Sequence, residues 1–249
     1  MTVLTQGRCP KRYARWFRRA VFSLALIIGA VPALSAQEYL PGGPLPVLRD
    51  PRADVPDLGS QAAVLLDAAT GTLLYAKNPD DEIPPASLTK LMTMHIALKE
   101  IAAGRASLDE IVPLPRETWA ASQPRRSSRM FLASGQRVSL RELFLGMAVP
   151  SGNDAALAIA LRFAPTVEEF AAMMNAEAGK FGMVKTRFVE PSGISEDNLT
   201  TAGEFARFCA AYVTLHPETM REYHSVGSFA YPKAENVPAA FQGNPGTIV

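Results

Sequence analysis

Three stretches of this chain carry the same start signal. Ser139-Leu140-Arg141-Glu142, Thr166-Val167-Glu168-Glu169 and Thr201-Ala202-Gly203-Glu204 each place a hydroxyl residue three positions before a glutamate. At that spacing hydroxyl and carboxylate can satisfy each other's backbone N–H, which marks a helix N-terminus. Behind the first, Leu140, Leu143, Phe144 and Met147 form an apolar stripe. Gly182 and His216-Pro217 supply stops for the other two. The back of the chain therefore folds as a helical block, with residues 184–189 as a short extended or loop connection. Ahead of the block, residues 62–66 and 72–76 flank a connection ending in Gly71, which predicts a β-hairpin. After it, Ser228-Phe229-Ala230-Tyr231 alternates like a strand. Strands, then helices, then a return toward strands make an α/β chain of the α+β type.

Charge and composition divide the chain further. The net charge of +1 hides an uneven distribution. Residues 1–36 hold Arg8, Lys11, Arg12, Arg15, Arg18 and Arg19 and no acidic residue, so the remainder carries 19 basic against 24 acidic residues. That remainder has no basic stripe of the kind that grips nucleic acid. The front reads as a secretory signal: a basic stretch, an apolar run over 20–33, then Ser35 and Ala36. An uncleaved anchor is the alternative, although the run is short for a membrane span. Residues 37–58, with Pro41, Pro44, Pro46, Pro51 and Pro56, form a Pro-rich linker. Once the signal is removed, Cys209 is the only cysteine, set among Phe205, Phe208, Tyr212 and Val213 as a core residue. His95, His216 and His224 form no ligand cluster, so neither metal nor cofactor is expected.

The chemistry lies in Pro84-Pro85-Ala86-Ser87-Leu88-Thr89-Lys90, at the start of a helix continued by Leu91, Met92, His95 and Ile96. Three residues apart, Ser87 and Lys90 share one face. A hydroxyl needs a base to become a nucleophile, and a lysine kept neutral by burial can serve. Taken alone, the pattern reads more readily as a helix cap beside a solvated lysine. A second stretch, Ser151-Gly152-Asn153-Asp154, runs into an alanine-rich helix. By itself it is a cap and turn. Beside a Ser–Lys pair it offers a serine to relay a proton and an amide to hold the lysine and a substrate carbonyl.

Together these motifs resemble those of the penicillin-recognising serine enzymes. More narrowly, the chain is similar to the D-alanyl-D-alanine carboxypeptidases of peptidase family S11, from about Ser60 onward. The resemblance extends to Ala63-Val64-Leu65-Leu66-Asp67, Ser127-Ser128-Arg129-Met130-Phe131-Leu132, Phe181-Gly182-Met183 and Glu190-Pro191-Ser192-Gly193. It implies a β-lactamase/transpeptidase-like fold over 59–249, an antiparallel sheet beside a helical subdomain. It implies Ser87 as acyl-serine, Lys90 as base, Ser151 as the second-motif serine and Asn153 as a substrate-binding amide, with one oxyanion donor from the Ser87 N–H. Peptidoglycan stem peptides would be the substrates and β-lactams covalent inhibitors, in the periplasm or cell envelope.

The chain departs from the family at the third motif. No Lys-Thr-Gly occurs, and Lys185-Thr186-Arg187 lies too early to replace it. The expectation is a C-terminally incomplete domain, marginally folded or inactive alone and lacking several strands, with any membrane association running through the missing C-terminal segment. The alternatives are a D,D-endopeptidase, a class A β-lactamase using Glu168 or Glu169, and a penicillin-binding or sensing protein without turnover. Arg125, Arg126 and Arg129 form a solvated basic loop.

Overall fold

The computed structural model describes residues 58–238, all within one compact unit, Ala36–Val249. The expected export signal, nearly all of the Pro-rich linker and the final residues lie outside the described part.

Strands β1 (Ala63–Leu66) and β2 (Leu73–Lys77) form the antiparallel hairpin, with Val64 opposite Ala76 and a bulge between Leu65 and Leu66. Asp67 builds the connection. Its carboxylate accepts the N–H groups of Ala69 and Thr70 while its carbonyl takes that of Gly71. Helix α5 packs against β1, and Leu65 and Leu74 remain exposed. Two-residue strand β3 (Glu82–Ile83) follows and leads through a tight turn at Ala86–Leu88 into α1 (Thr89–Ala102).

Helix α1 is the axis of the fold. Thr89, Lys90 and every residue from Met92 to Ala97 are buried, which is why this segment is apolar or small almost all round. After strand β4 (Ile111–Val112) come β5 (Val138–Ser139), α2 (Leu140–Ala148), α3 (Asn153–Phe163) and α4 (Val167–Lys180). Strand β6 (Thr200–Thr201) precedes α5 (Ala202–Leu215). The short strands pair antiparallel, β3 with β6 and β4 with β5, tying loops to the ends of α5 and α2. Met92, Leu140, Phe144, Ile159, Phe170 and Phe208 fill the core between helices. Each buries about 2 kcal/mol worth of apolar surface.

The three start signals behave differently. Ser139 and Glu142 form the full reciprocal box. Thr166 caps Glu169 N. Thr201 likewise caps Glu204 N, but the Glu204 carboxylate is drawn away to Lys185 N and Thr186 Oγ1. Helix α4 stops as expected: Gly182, at φ +68°, donates to Gly179 O, and Met183 N to Ala178 O. The strand expected at 228–231 does not form. No neighbouring segment among the described residues offers it a ladder, and Phe229 and Tyr231 instead pack on the core.

Candidate active site

Ser87 opens the site from a strained turn. Ala86, immediately before it, has φ +48°, and Ser151 has φ +59°. Non-glycine residues hold such angles at a cost of about 1–3 kcal/mol, sustained only when the surroundings impose them. Here Pro85 is buried beneath the turn, and Leu88 N bonds to Pro85 O. Ser87 does not cap α1, whose N-terminus receives no side-chain bond. Its hydroxyl accepts instead from Lys90 Nζ at 3.1 Å and from Ser151 Oγ at 3.0 Å.

Ser151 arrives from the end of α2. Gly152 N closes that turn on Gly146 O, and Asn153 N bonds to Ser128 O. Position 152 has no room for a side chain: a Cβ would stand 2.8 Å from Gly146 O and 2.9 Å from Met130 N. Asp154, fully buried, anchors the neighbouring loop by accepting Met130 N at 2.8 Å and Leu132 N at 3.0 Å. Segment 128–132 therefore lies against the second motif, with Phe131 (φ +70°) turned outward and exposed.

Lys90, only 5 % exposed, lies at the centre. Besides Ser87 it donates to Asn153 Oδ1 at 2.9 Å and to the Ser192 carbonyl at 2.6 Å. Burial pushes its proton affinity down to about 8, while the Glu190 and Asp154 carboxylates pull the other way. Near pH 8 about half of such a lysine is neutral, against well under 1 % of an ordinary one. The neutral amine keeps two N–H donors and one lone pair. With Asn153 and Ser192 taking the donors, the lone pair faces the Ser87 hydroxyl. A cleft of about 360 Å³ opens here, lined by Ser87, Lys90 and Ser151 and running back to Met94, Met147 and His224.

Ser87, Lys90, Ser151 and Asn153, expected from sequence, are thus brought together. The Ser192 carbonyl had no expected role, nor did Glu190, whose carboxylate shapes the loop carrying it. The Glu-Pro-Ser-Gly stretch was the available signal. Lys185 and Thr186 lie elsewhere, on Asp80 O and Glu204. Glu168 and Glu169 occupy the exposed first turn of α4. Arg129 folds onto the carbonyls of Gln123 and Pro124, and Arg125 and Arg126 are exposed.

His95 and His216, far apart in sequence, meet at 2.8 Å between Nδ1 and Nε2. His95 Nε2 faces Glu177, which also accepts from Lys99 at 2.6 Å and Lys180 at 2.9 Å. His224 is separate, on Tyr212 Oη. Cys209 packs on the core as expected, and burial raises its thiol to about 11.

The family model for D-alanyl-D-alanine carboxypeptidases (peptidase S11) matches residues 50–235. The D-alanyl-D-alanine carboxypeptidase DacC of Escherichia coli K12 is 34 % identical over 185 residues, covering 72 % of this chain and 46 % of that protein. A D-alanyl-D-alanine endopeptidase of Pseudomonas aeruginosa is 35 % identical over 166 residues, covering 65 % and 51 %. The crystal structure of the D-alanyl-D-alanine carboxypeptidase DacD from Francisella tularensis superposes with a TM-score of 0.65 at 37 % identity, covering 69 % of this chain and 41 % of that one. The chain spans about half the length of the curated relatives it matches. The fold is that of the penicillin-binding D,D-peptidases, helices beside small antiparallel sheets.

Proposed function

Since this chain belongs to the D-alanyl-D-alanine carboxypeptidase family, peptidase S11, we propose that it carries the acylating half of a serine D,D-carboxypeptidase acting on peptidoglycan stem peptides. The observation that supports this most is the buried Lys90 amine held between Asn153 and Ser192 and facing the Ser87 hydroxyl at 3.1 Å.

In this reading Ser87 Oγ attacks the carbonyl carbon of the penultimate D-alanine, and its proton passes to Lys90 Nζ. The C–N bond to the terminal D-alanine then breaks. Ser151, bonded to Ser87 at 3.0 Å, relays the proton from Lys90 to the departing amine. Water, deprotonated along the same route, hydrolyses the Ser87 ester and restores the free hydroxyl. Asn153 aligns the lysine and contacts the substrate's peptide carbonyl, and the Ser87 N–H stabilises the oxyanion. A β-lactam, whose ring amide resembles the scissile bond, acylates Ser87 and remains attached.

The basic, then apolar front of the sequence supports export to the periplasm or envelope. Among the described residues no helix is long and apolar enough to cross a membrane; membrane association would come through a C-terminal segment. One further reading has support. The endopeptidase relative favours cleavage of cross-links by the same residues. Mass analysis of muropeptides after incubation separates the two. Loss of one D-alanine from pentapeptides supports the carboxypeptidase, conversion of dimers to monomers the endopeptidase, and no change counts against both.

A further inference from the structure

Glu190 touches none of the reacting groups, yet its carboxylate makes the densest set of polar contacts near them. One oxygen accepts Ser192 N at 2.7 Å and Ser192 Oγ at 2.6 Å. The other accepts Gly193 N at 2.6 Å and Asn198 Nδ2 at 2.8 Å. Consecutive backbone N–H groups converging on an anion form a nest, here filled by a side chain of the same loop. The turn so built is fastened to α1 at three points. Thr93 Oγ1 donates to Pro191 O at 2.7 Å, Asn198 Nδ2 reaches Thr89 Oγ1, and Lys90 Nζ donates to Ser192 O. The last is the shortest of the lysine's three bonds.

We propose that Glu190 is a positioning residue for the Ser87 site: its carboxylate folds the 190–195 turn so that the Ser192 carbonyl takes one Lys90 donor and leaves the lone pair aimed at Ser87. The inference rests on the functional reading above for its kinetic consequence but not for its structural one. Without the carboxylate, Ser192 N and Gly193 N lose their acceptor and the carbonyl on the other side of that peptide is free to rotate away.

The charge acts as well as the shape. The charged groups facing Lys90 are Glu190 from this turn and Asp154 from the start of α3. Across the cleft stands His224, held toward its neutral form by burial. On α1 itself His95 is turned away, toward Glu177 and His216. Both carboxylates favour the protonated lysine, so neutralising Glu190 makes the amine less basic.

The test is a titration of lysine side chains by carbon-13 NMR in the full chain, with Lys90 assigned by its loss in Lys90→Met. Wild type should titrate near 8, and Glu190→Gln lower by roughly half a unit or more. Acylation by a fluorescent penicillin should show its pH limb move the same way and its high-pH plateau fall about tenfold. An unmoved Lys90 midpoint, or an unchanged plateau in labelled protein, overturns the proposal. If Glu190→Gln does not fold, the wild-type amides decide: those of Ser192 and Gly193 should titrate with the Lys90 midpoint, and their indifference to it overturns the proposal too. A wild type that titrates as expected but takes no penicillin counts against the functional reading and leaves the placement of Lys90 by Glu190 supported.

Discussion

Gly193 lies so close to Ala86 that a Cβ on the glycine would stand 1.7 Å from the Ala86 carbonyl oxygen. The glycine's φ of +82° and the alanine's of +48° are two sides of one contact: the 190–195 turn presses on the residue that precedes Ser87. Loop and turn hold each other in conformations neither would adopt alone.

Gly193→Ala should therefore cost about 2 kcal/mol or more, from the left-handed backbone and the clash together. Urea denaturation measures it, and penicillin labelling should fall with it because Ser87 must move. Gly179→Ala is the control. That glycine is helical with nothing within 4 Å of its Cβ position, so the change should be neutral or stabilise by up to about 1 kcal/mol.

Acylation should follow the ionisation of Lys90. With the free amine as the proposed base, the second-order rate with a penicillin should rise with pH and level off above about 8. Lys90→Met should lower it by about 10²–10⁴-fold at and above pH 8 and abolish the limb below it. Stopped-flow labelling across the range distinguishes a lysine limb from a flat profile.

Asp154 supports the site without touching its reacting atoms. Fully buried, it holds Met130 N and Leu132 N. Asp154→Ala leaves both donors unpaired in the interior, at about 3 kcal/mol. Thermal unfolding should register the loss even where some labelling of Ser87 survives.

The far side of α1 should give the fold an acid limit. Burial, with the nearby charges of His95 and Lys99, lowers His216 from 6.5 to about 4. Between those values the unfolded chain binds more protons than the folded one, so this stability is full above pH 6.5 and is lost as pH falls toward 4. The loss is on the order of 2 kcal/mol. Glu177 extends it. Burial alone would raise its carboxyl, but bonds from His95, Lys99 and Lys180 outweigh that and hold it well below the usual range. Its contribution is present above 4.5 and disappears at lower pH still. His216→Gln should flatten the dependence of melting temperature on pH between about 6.5 and 4, leaving only the steeper fall below.

What was legible in the sequence is what short-range spacing encodes. Ser139 and Glu142, Gly71, Gly182 and the Ser87–Lys90 step each declare themselves within a few residues, and family resemblance joined Ser151 and Asn153 to them. Glu190 was invisible as an organiser because its partners Ser192, Gly193 and Asn198 signify nothing until the loop closes over α1. The meeting of His95 with His216 depends on how α1 and the end of α5 pack, which no local pattern states. The strand expected at 228–231 failed for the converse reason: alternation describes a face, but a strand also needs a neighbour, and among the described residues this segment has none.

The central claim is that Ser87 is an acylating nucleophile served by Lys90. It is tested most directly by incubating the protein with benzylpenicillin, measuring intact mass and mapping the adduct by peptide digestion. A single penicilloyl group on the peptide containing Ser87, absent in Ser87→Ala and greatly slowed in Lys90→Met, is the predicted result. No adduct, or one that persists in Ser87→Ala, would contradict the account.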